Sequence, residues 1–185
     1  MMTEISLNVL DAVQNSLRAG ADFIQITVCI DSKAETLTLS VTDNGCGMTA
    51  AQLRKAEDPF YTTRTTRAVG LGLPFIKQAA LLTGGHLHIT SKPGMGTALM
   101  AVFGLNHIDR MPLGDMAAAI HSLVICHITV DFLYCYQVDN EGFTLDTREF
   151  REILKDIPFY SPEVSTYIRE YLVENQAETD GRRFF

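Results

Sequence analysis

The stretch Asp43-Asn44-Gly45-Cys46-Gly47-Met48 follows directly on the alternating run Leu37, Leu39, Val41 and is answered downstream by Gly70-Leu71-Gly72-Leu73. A carboxylate at a strand end beside glycines suits a nucleotide. Asp43 would accept a hydrogen bond from an exocyclic amine such as that of adenine, while Gly45 and Gly47 would let the backbone approach the ring or take a positive φ. Asp, Asn and Gly also compose ordinary turns, and taken alone the hexapeptide reads better as a plain β-turn. The rest of the chain has to decide between the two.

Upstream, Ile24, Ile26, Val28 and Ile30 alternate with polar neighbours, so with Leu37 to Val41 and the turn Asp31 to Glu35 they predict a hairpin with one buried face. Before it, Leu10, Val13 and Leu17 recur at helical spacing between Thr3 and Ala19, and Gly20 stands at the C-cap position. Glu4, Asn8, Asp11, Asn15 and Arg18 fall in one narrow sector of that helix, a polar stripe. Downstream, Thr49 and Gln52 have capping-box spacing and predict a short helix to about Glu57, stopped by Pro59. The Thr- and Arg-rich run Asp58 to Val69 has no apolar period and reads as a loop able to move. A helix over Leu71 to Leu82 follows, with Pro74 in its first turn and Gly84 and Gly85 at its end. Strands His86 to Ser91 and Thr97 to Phe103 flank the turn Pro93-Gly94-Met95-Gly96, and one α/β domain, residues 1–106, closes there.

Residues 107–185 read as a small α/β extension: helices over Leu113 to Leu123, Thr147 to Lys155 and Pro162 to Glu174, strands over Ile128 to Val138 and Gly142 to Leu145, and a frayed run from Thr179. The 185 residues, 46% of them hydrophobic, are enough for a core, and the formal charge of -7 argues against a broad nucleic-acid or anionic-membrane surface. The opening MMTEISLNVLDAVQNSL has neither a basic nor a long apolar signal region, and no later run reaches membrane-spanning length, so a cytoplasmic protein is expected. Cys29, Cys46, Cys126 and Cys135 form no CxxC pair and are read as reduced.

In order, then, the chain carries a polar-striped helix with an Asn, a strand ending in DNGCGM, a Thr/Arg loop, GLGL at a helix start and GMGT before a last strand. This series resembles the GHKL superfamily of ATPases and kinases (gyrase, heat-shock-90 chaperones, histidine kinases, MutL-type repair proteins) over Ile5 to Phe103. The resemblance implies a Bergerat-type ATP-binding fold, a two-layer α/β sandwich whose mixed sheet is covered by helices on one face. ATP and Mg²⁺ are the implied cofactors, with Asn15 as the Mg²⁺ ligand; a neutral amide oxygen does suit a hard cation that keeps most of its waters. Asp11, one turn earlier, matches a position that often carries Glu. It would orient an attacking water or a Mg²⁺-bound one, although its shorter side chain leaves a general-base role open.

Arg18 departs from the acid of gyrase- and MutL-like members and leans towards the kinase branch, where it would face the phosphates. A second register, with Glu4, Asn8 and Asp11 as ExxxNxxDA, also fits the letters. The run NSLRAGADFIQITV, similar to the MutL type, favours Asn15, because it gives the usual short helix-to-strand connection. Gly70, Leu71, Gly72 and Leu73 would place backbone N–H groups at a helix start where phosphate binds, and the same glycines also suit a hinge. Phe60 resembles the aromatic that opens the family's ATP lid. Thr62, Thr63, Arg64 and Arg67 would donate to the phosphates, or simply be solvated. Met48 belongs to the base-binding box, and Thr97, in the last glycine box, is expected to bond near Asp43 and the adenine.

The function these readings imply is Mg²⁺-dependent phosphoryl chemistry: slow ATP hydrolysis, or transfer to a protein partner in a regulatory role. The alternative is a non-hydrolysing, ATP-gated binding module resembling an anti-sigma factor. The extension is similar to the tail of small stand-alone ATP-binding proteins encoded near iron-iron hydrogenases, which implies a regulatory or maturation partner there.

Overall fold

In the computed structural model, which describes residues 4–56, 72–155, 157–181, 183 and 185, the expected hairpin is formed by β1 (Phe23–Asp31) and β2 (Thr36–Asp43). Their register sets Ile26 opposite Val41, Val28 opposite Leu39 and Ile30 opposite Leu37, so one face of the hairpin is buried and apolar up to the last pair, Ile24 and Asp43. Strands β3 (His86–Lys92) and β4 (Gly96–Gly104) continue the sheet from β2, with Leu99, Ala101 and Phe103 on the same face. Helices α1 (Ile5–Arg18) and α3 (Gly72–Leu82) cover that face through Ile5, Val9, Val13, Ile76 and Ala80. The short α2 (Ala50–Ala56) begins at the expected capping box, in which Thr49 N–H donates to Gln52 Oε1 at 2.8 Å and Gln52 N–H to Thr49 Oγ1 at 3.3 Å.

The segment read as an appendage supplies β5 (Asp131–Val138), β6 (Glu141–Asp146), α4 (Met116–Cys126), α5 (Thr147–Leu154) and α6 (Pro162–Asp180). Its strands join the same sheet, giving six strands in the order β3-β4-β2-β1-β5-β6, with β5 parallel to β1 and every other pairing antiparallel. The cause is the edge that the hairpin leaves on β1. Phe132, Tyr134, Tyr136 and Val138 alternate in step with Ile24 to Ile30 and extend one apolar face and one core across both halves.

Several sequence expectations are corrected here. Helix α4 starts at Met116, not Leu113, because Asp115 caps it by accepting from Ala118 N–H at 2.8 Å. The carbonyls of Pro112 and Leu113 instead accept from Ile5 and Ser6 N–H and hold the start of α1. Strand β5 starts at Asp131, since the carbonyls of Ile128 and Val130 turn to the Arg151 guanidinium. Helix α6 runs on to Asp180 and ends at Gly181 in the left-handed conformation. The run after Thr179 is therefore not frayed at its described residues: Arg183 binds Asp139 at 2.8 Å, and the Phe185 carbonyl accepts from Leu113 N–H. Within the polar stripe of α1, Asn8 is buried and donates to the Glu4 carbonyl and towards the Met111 sulfur.

The turn from β6 into α5 rests on Asp146, which accepts from Arg148 N–H at 3.0 Å and from its guanidinium at 2.6 Å. Those hydrogen bonds to Arg148 hold the Asp146 carboxyl below the usual carboxylate range. A depressed folded pKa stabilises the fold above the unfolded value and loses that contribution as pH falls through the folded value. Asp146→Asn should accordingly lower stability by about 1 kcal/mol at pH 7, the scale of an N-cap. In paired thermal melts the gap from the parent should narrow as pH falls below the usual carboxylate range and the Asp146 carboxylate takes up its proton.

Candidate functional site

Strand register carries Asp43 into the covered face. It continues the alternation of Leu37, Leu39 and Val41, and it lies in one transverse row with Ile24 on β1, Thr97 on β4 and Ser91 on β3. The carboxylate is only 8% exposed and three donors hold it: Ser16 Oγ at 2.6 Å to Oδ2, then Gly45 N–H at 2.9 Å and Thr97 N–H at 3.2 Å, both to Oδ1. A buried carboxylate requires such partners. Thr97 thus reaches Asp43 through its backbone; its hydroxyl pairs with Ser91 Oγ at 2.9 Å.

The DNGCGM loop is no free turn. Asn44 Oδ1 accepts from Asp22 and Phe23 N–H, Cys46 N–H donates to the Ala19 carbonyl, the Cys46 carbonyl accepts from Gly94 N–H, and Met48 N–H donates to Ser91 Oγ. The loop is stitched to the α1–β1 connection on one side and to the β3–β4 turn on the other. Two glycines permit this. Gly47 has φ +65 and a Cβ there would overlap the Lys92 carbonyl; Gly96 has φ +95 and a Cβ there would overlap the Asp43 carbonyl.

Asp43 opens on a cleft of about 390 Å³, a size suited to a small ligand. Val41, Ile89 and Leu99 form its apolar floor, Met48, Leu73 and Thr97 also line it, and α1 contributes Asp11, Asn15 and Arg18 along one wall. Asn15 lines the cleft and Asn8 does not. Gly45 is not in the lining either; its role is the bond to Asp43. On the same wall, Arg18 Nη1 donates to Asn15 Oδ1 at 3.3 Å. Opposite, Gly72 at the start of α3 comes so close to α1 that a Cβ there would overlap the Asp11 carboxylate. Phe60, Thr62, Thr63, Arg64, Arg67, Gly70 and Leu71 lie outside the described residues.

Sequence reading missed Ser16 and Ser91, the two hydroxyls that organise this corner. Ser16 carried one faint signal, a small polar residue one step after Asn15 and on the side of α1 that holds Val9 and Val13. Among the described residues no group of three or more His, Cys, Asp or Glu side chains is placed to hold a metal ion, and no helix is long and apolar enough to cross a membrane.

Residues 3–107, more than half of the chain, match the family described as histidine kinase-, DNA gyrase B- and HSP90-like ATPase. The chain belongs to that family, and its fold is that of an ATP-binding domain of the histidine-kinase type. It is 39% identical over 105 residues to the sensor protein kinase FleS of Pseudomonas aeruginosa, covering 57% of this chain and 25% of that one. It is 30% identical over 122 residues to the non-motile and phage-resistance protein of Caulobacter vibrioides, covering 63% of this chain and 14% of the other. The chain therefore spans a quarter or less of the length of these relatives. A solved structure, the N-terminal domain of a DNA repair protein, shares the fold at a TM-score of 0.55 and 17% identity, over 78% of this chain and 52% of that one.

Proposed function

We propose that this chain binds ATP with Mg²⁺ and performs phosphoryl chemistry, as slow hydrolysis or as transfer to a protein partner that it regulates. One observation carries the reading: a buried, three-donor carboxylate, Asp43, opens on the same cleft as Asn15 and Asp11. An acceptor-only group at the deep end suits the 6-amino edge of adenine. The triphosphate would then run along α1 towards Gly72 and the first N–H groups of α3.

The oxygen set fits Mg²⁺. Asn15 offers a neutral amide oxygen and Asp11, one turn earlier, a carboxylate, which leaves most positions to water and phosphate, as this ion prefers. When bound, the ion would offset charge on the phosphates. Asn15 Oδ1 now accepts from Arg18, so the guanidinium has to swing away, and it would then face the phosphates as a cation. Arg18 in place of an acid, and the likeness to named sensor kinases, favour transfer over hydrolysis. The protein acceptor expected from the extension is a regulatory or maturation partner of the hydrogenase-associated kind.

Removing the Asn15 oxygen should cut phosphate release from ATP, or labelling of a partner, by at least about tenfold, the loss of one charge-assisted contact. Equal, negligible rates in the parent and Asn15→Ala would sink intrinsic hydrolysis. That outcome would leave the second reading, a module gated by ATP without turnover. It is favoured by Asp11, which is short for a general base and packed against Gly72. In that case protease protection of residues 58–69 by ATP would persist without hydrolysis.

A further inference from the structure

A carboxylate has room for about four hydrogen bonds, and Asp43 commits two acceptor positions on Oδ1 to backbone N–H groups of Gly45 and Thr97. Those donors are fixed by the β2–β4 register and the loop, whatever occupies the cleft. The other oxygen has one described protein donor, Ser16 Oγ at 2.6 Å, a short charge-assisted bond. Ser16 is itself buried and sits on α1 directly after Asn15. Its hydroxyl proton has a second, poorer seat, the Ala12 carbonyl at 3.4 Å. The bond to Asp43 is the shorter of the two, and it leaves Oδ2 a single acceptor direction.

We infer that Ser16 is the residue that makes the site specific for a 6-amino purine, by holding Asp43 Oδ2 as a fixed acceptor; the inference rests on the nucleotide reading above. With the hydroxyl in place, the remaining lone pair of Oδ2 has one direction and accepts one N–H. A 6-oxo purine would set oxygen against oxygen there, and a purine without a 6-substituent would leave the acceptor unpaired. Take the hydroxyl away, and the Oδ2 side of the carboxylate is free to turn or to take up a water. Discrimination then falls while stacking on the apolar floor of Val41 and Leu99 is kept. Ser16 is thus a positioning residue: it acts through Asp43. Because it is joined to Asn15 on one helical turn, any shift of α1 that aligns Asn15 with the phosphates also sets the grip on the base.

The test compares equilibrium binding of ATP with that of purine riboside triphosphate, which lacks the 6-amino group, and with GTP, in the intact chain and in Ser16→Ala, Ser16→Thr and Asp43→Asn. The ratio of ATP to purine riboside triphosphate affinity isolates the amine contact. Ser16→Ala should lower that ratio by about 5- to 10-fold, the worth of one such hydrogen bond, and raise relative GTP binding, with purine riboside triphosphate affinity held within twofold. Ser16→Thr, which keeps a hydroxyl, should restore the ratio even if it costs thermal stability. An equal loss for both triphosphates in Ser16→Ala, or an unchanged ratio there while Asp43→Asn collapses it, would overturn the inference and leave the nucleotide site standing. If Asp43→Asn leaves the ratio of the parent unchanged, Asp43 does not read the base, and the inference falls together with that reading.

Discussion

A chain cut after Asn106 should lose cooperative folding altogether, even though the family match ends at residue 107. The cut strips β1 of its eight-residue parallel ladder with β5 and turns a central strand into an edge whose inner face is Ile24, Ile26, Val28 and Ile30. It also removes Pro112 and Leu113, whose carbonyls hold the first N–H groups of α1, and α4, which packs on that helix. Uncovering a fully buried aliphatic side chain costs about 1.5–3 kcal/mol. A few of them equal the whole stability of a typical domain, about 5–15 kcal/mol. Calorimetry should show one cooperative transition for the intact chain and none for residues 1–106. Two independent transitions in the intact chain, with the first half melting alone, would mean that the halves are separate units after all.

The second large effect falls on Asp43→Asn. The substitution keeps the shape but replaces an acceptor-only group with one that must turn an NH₂ towards Ser16, Gly45, Thr97 or the ligand. A hydrogen bond to a charged group contributes about 1.5–3 kcal/mol, so ATP affinity should drop by about 10- to 100-fold. Thermal melts of the same variant separate this from unfolding, because the lost affinity should persist at temperatures where the variant is still fully folded.

Much of this was legible in the sequence because it is local. Alternation from Ile24 to Val41 gave the hairpin, Thr49 and Gln52 gave the start of α2, and an acid in step with Leu37, Leu39 and Val41 had to face the covered side of the sheet. What was not legible is partnership. The pattern Phe132, Tyr134, Tyr136, Val138 announces a strand with one buried face, but periodicity does not say which strand it lies beside, and the vacant edge of β1 exists only once the hairpin has formed. Nor does a polar helical sector tell water from a neighbour 103 residues away in sequence, which for Asn8 is Met111. The last turns of α6 lack an apolar stripe and are held instead by single contacts such as Tyr136 Oη donating to Asp180 at 2.6 Å. Ser16 was missed for the same reason: one hydroxyl makes no period, and its meaning appears only when β2 brings Asp43 beneath it.

Calorimetric titration of the intact chain with ATP in excess Mg²⁺, run beside Asp43→Asn under identical conditions, tests the central claim most directly. The account predicts saturable binding of one ATP per chain, weakened about 10- to 100-fold in the variant. Absence of saturable binding, or the same affinity in both proteins while both remain folded, would contradict it.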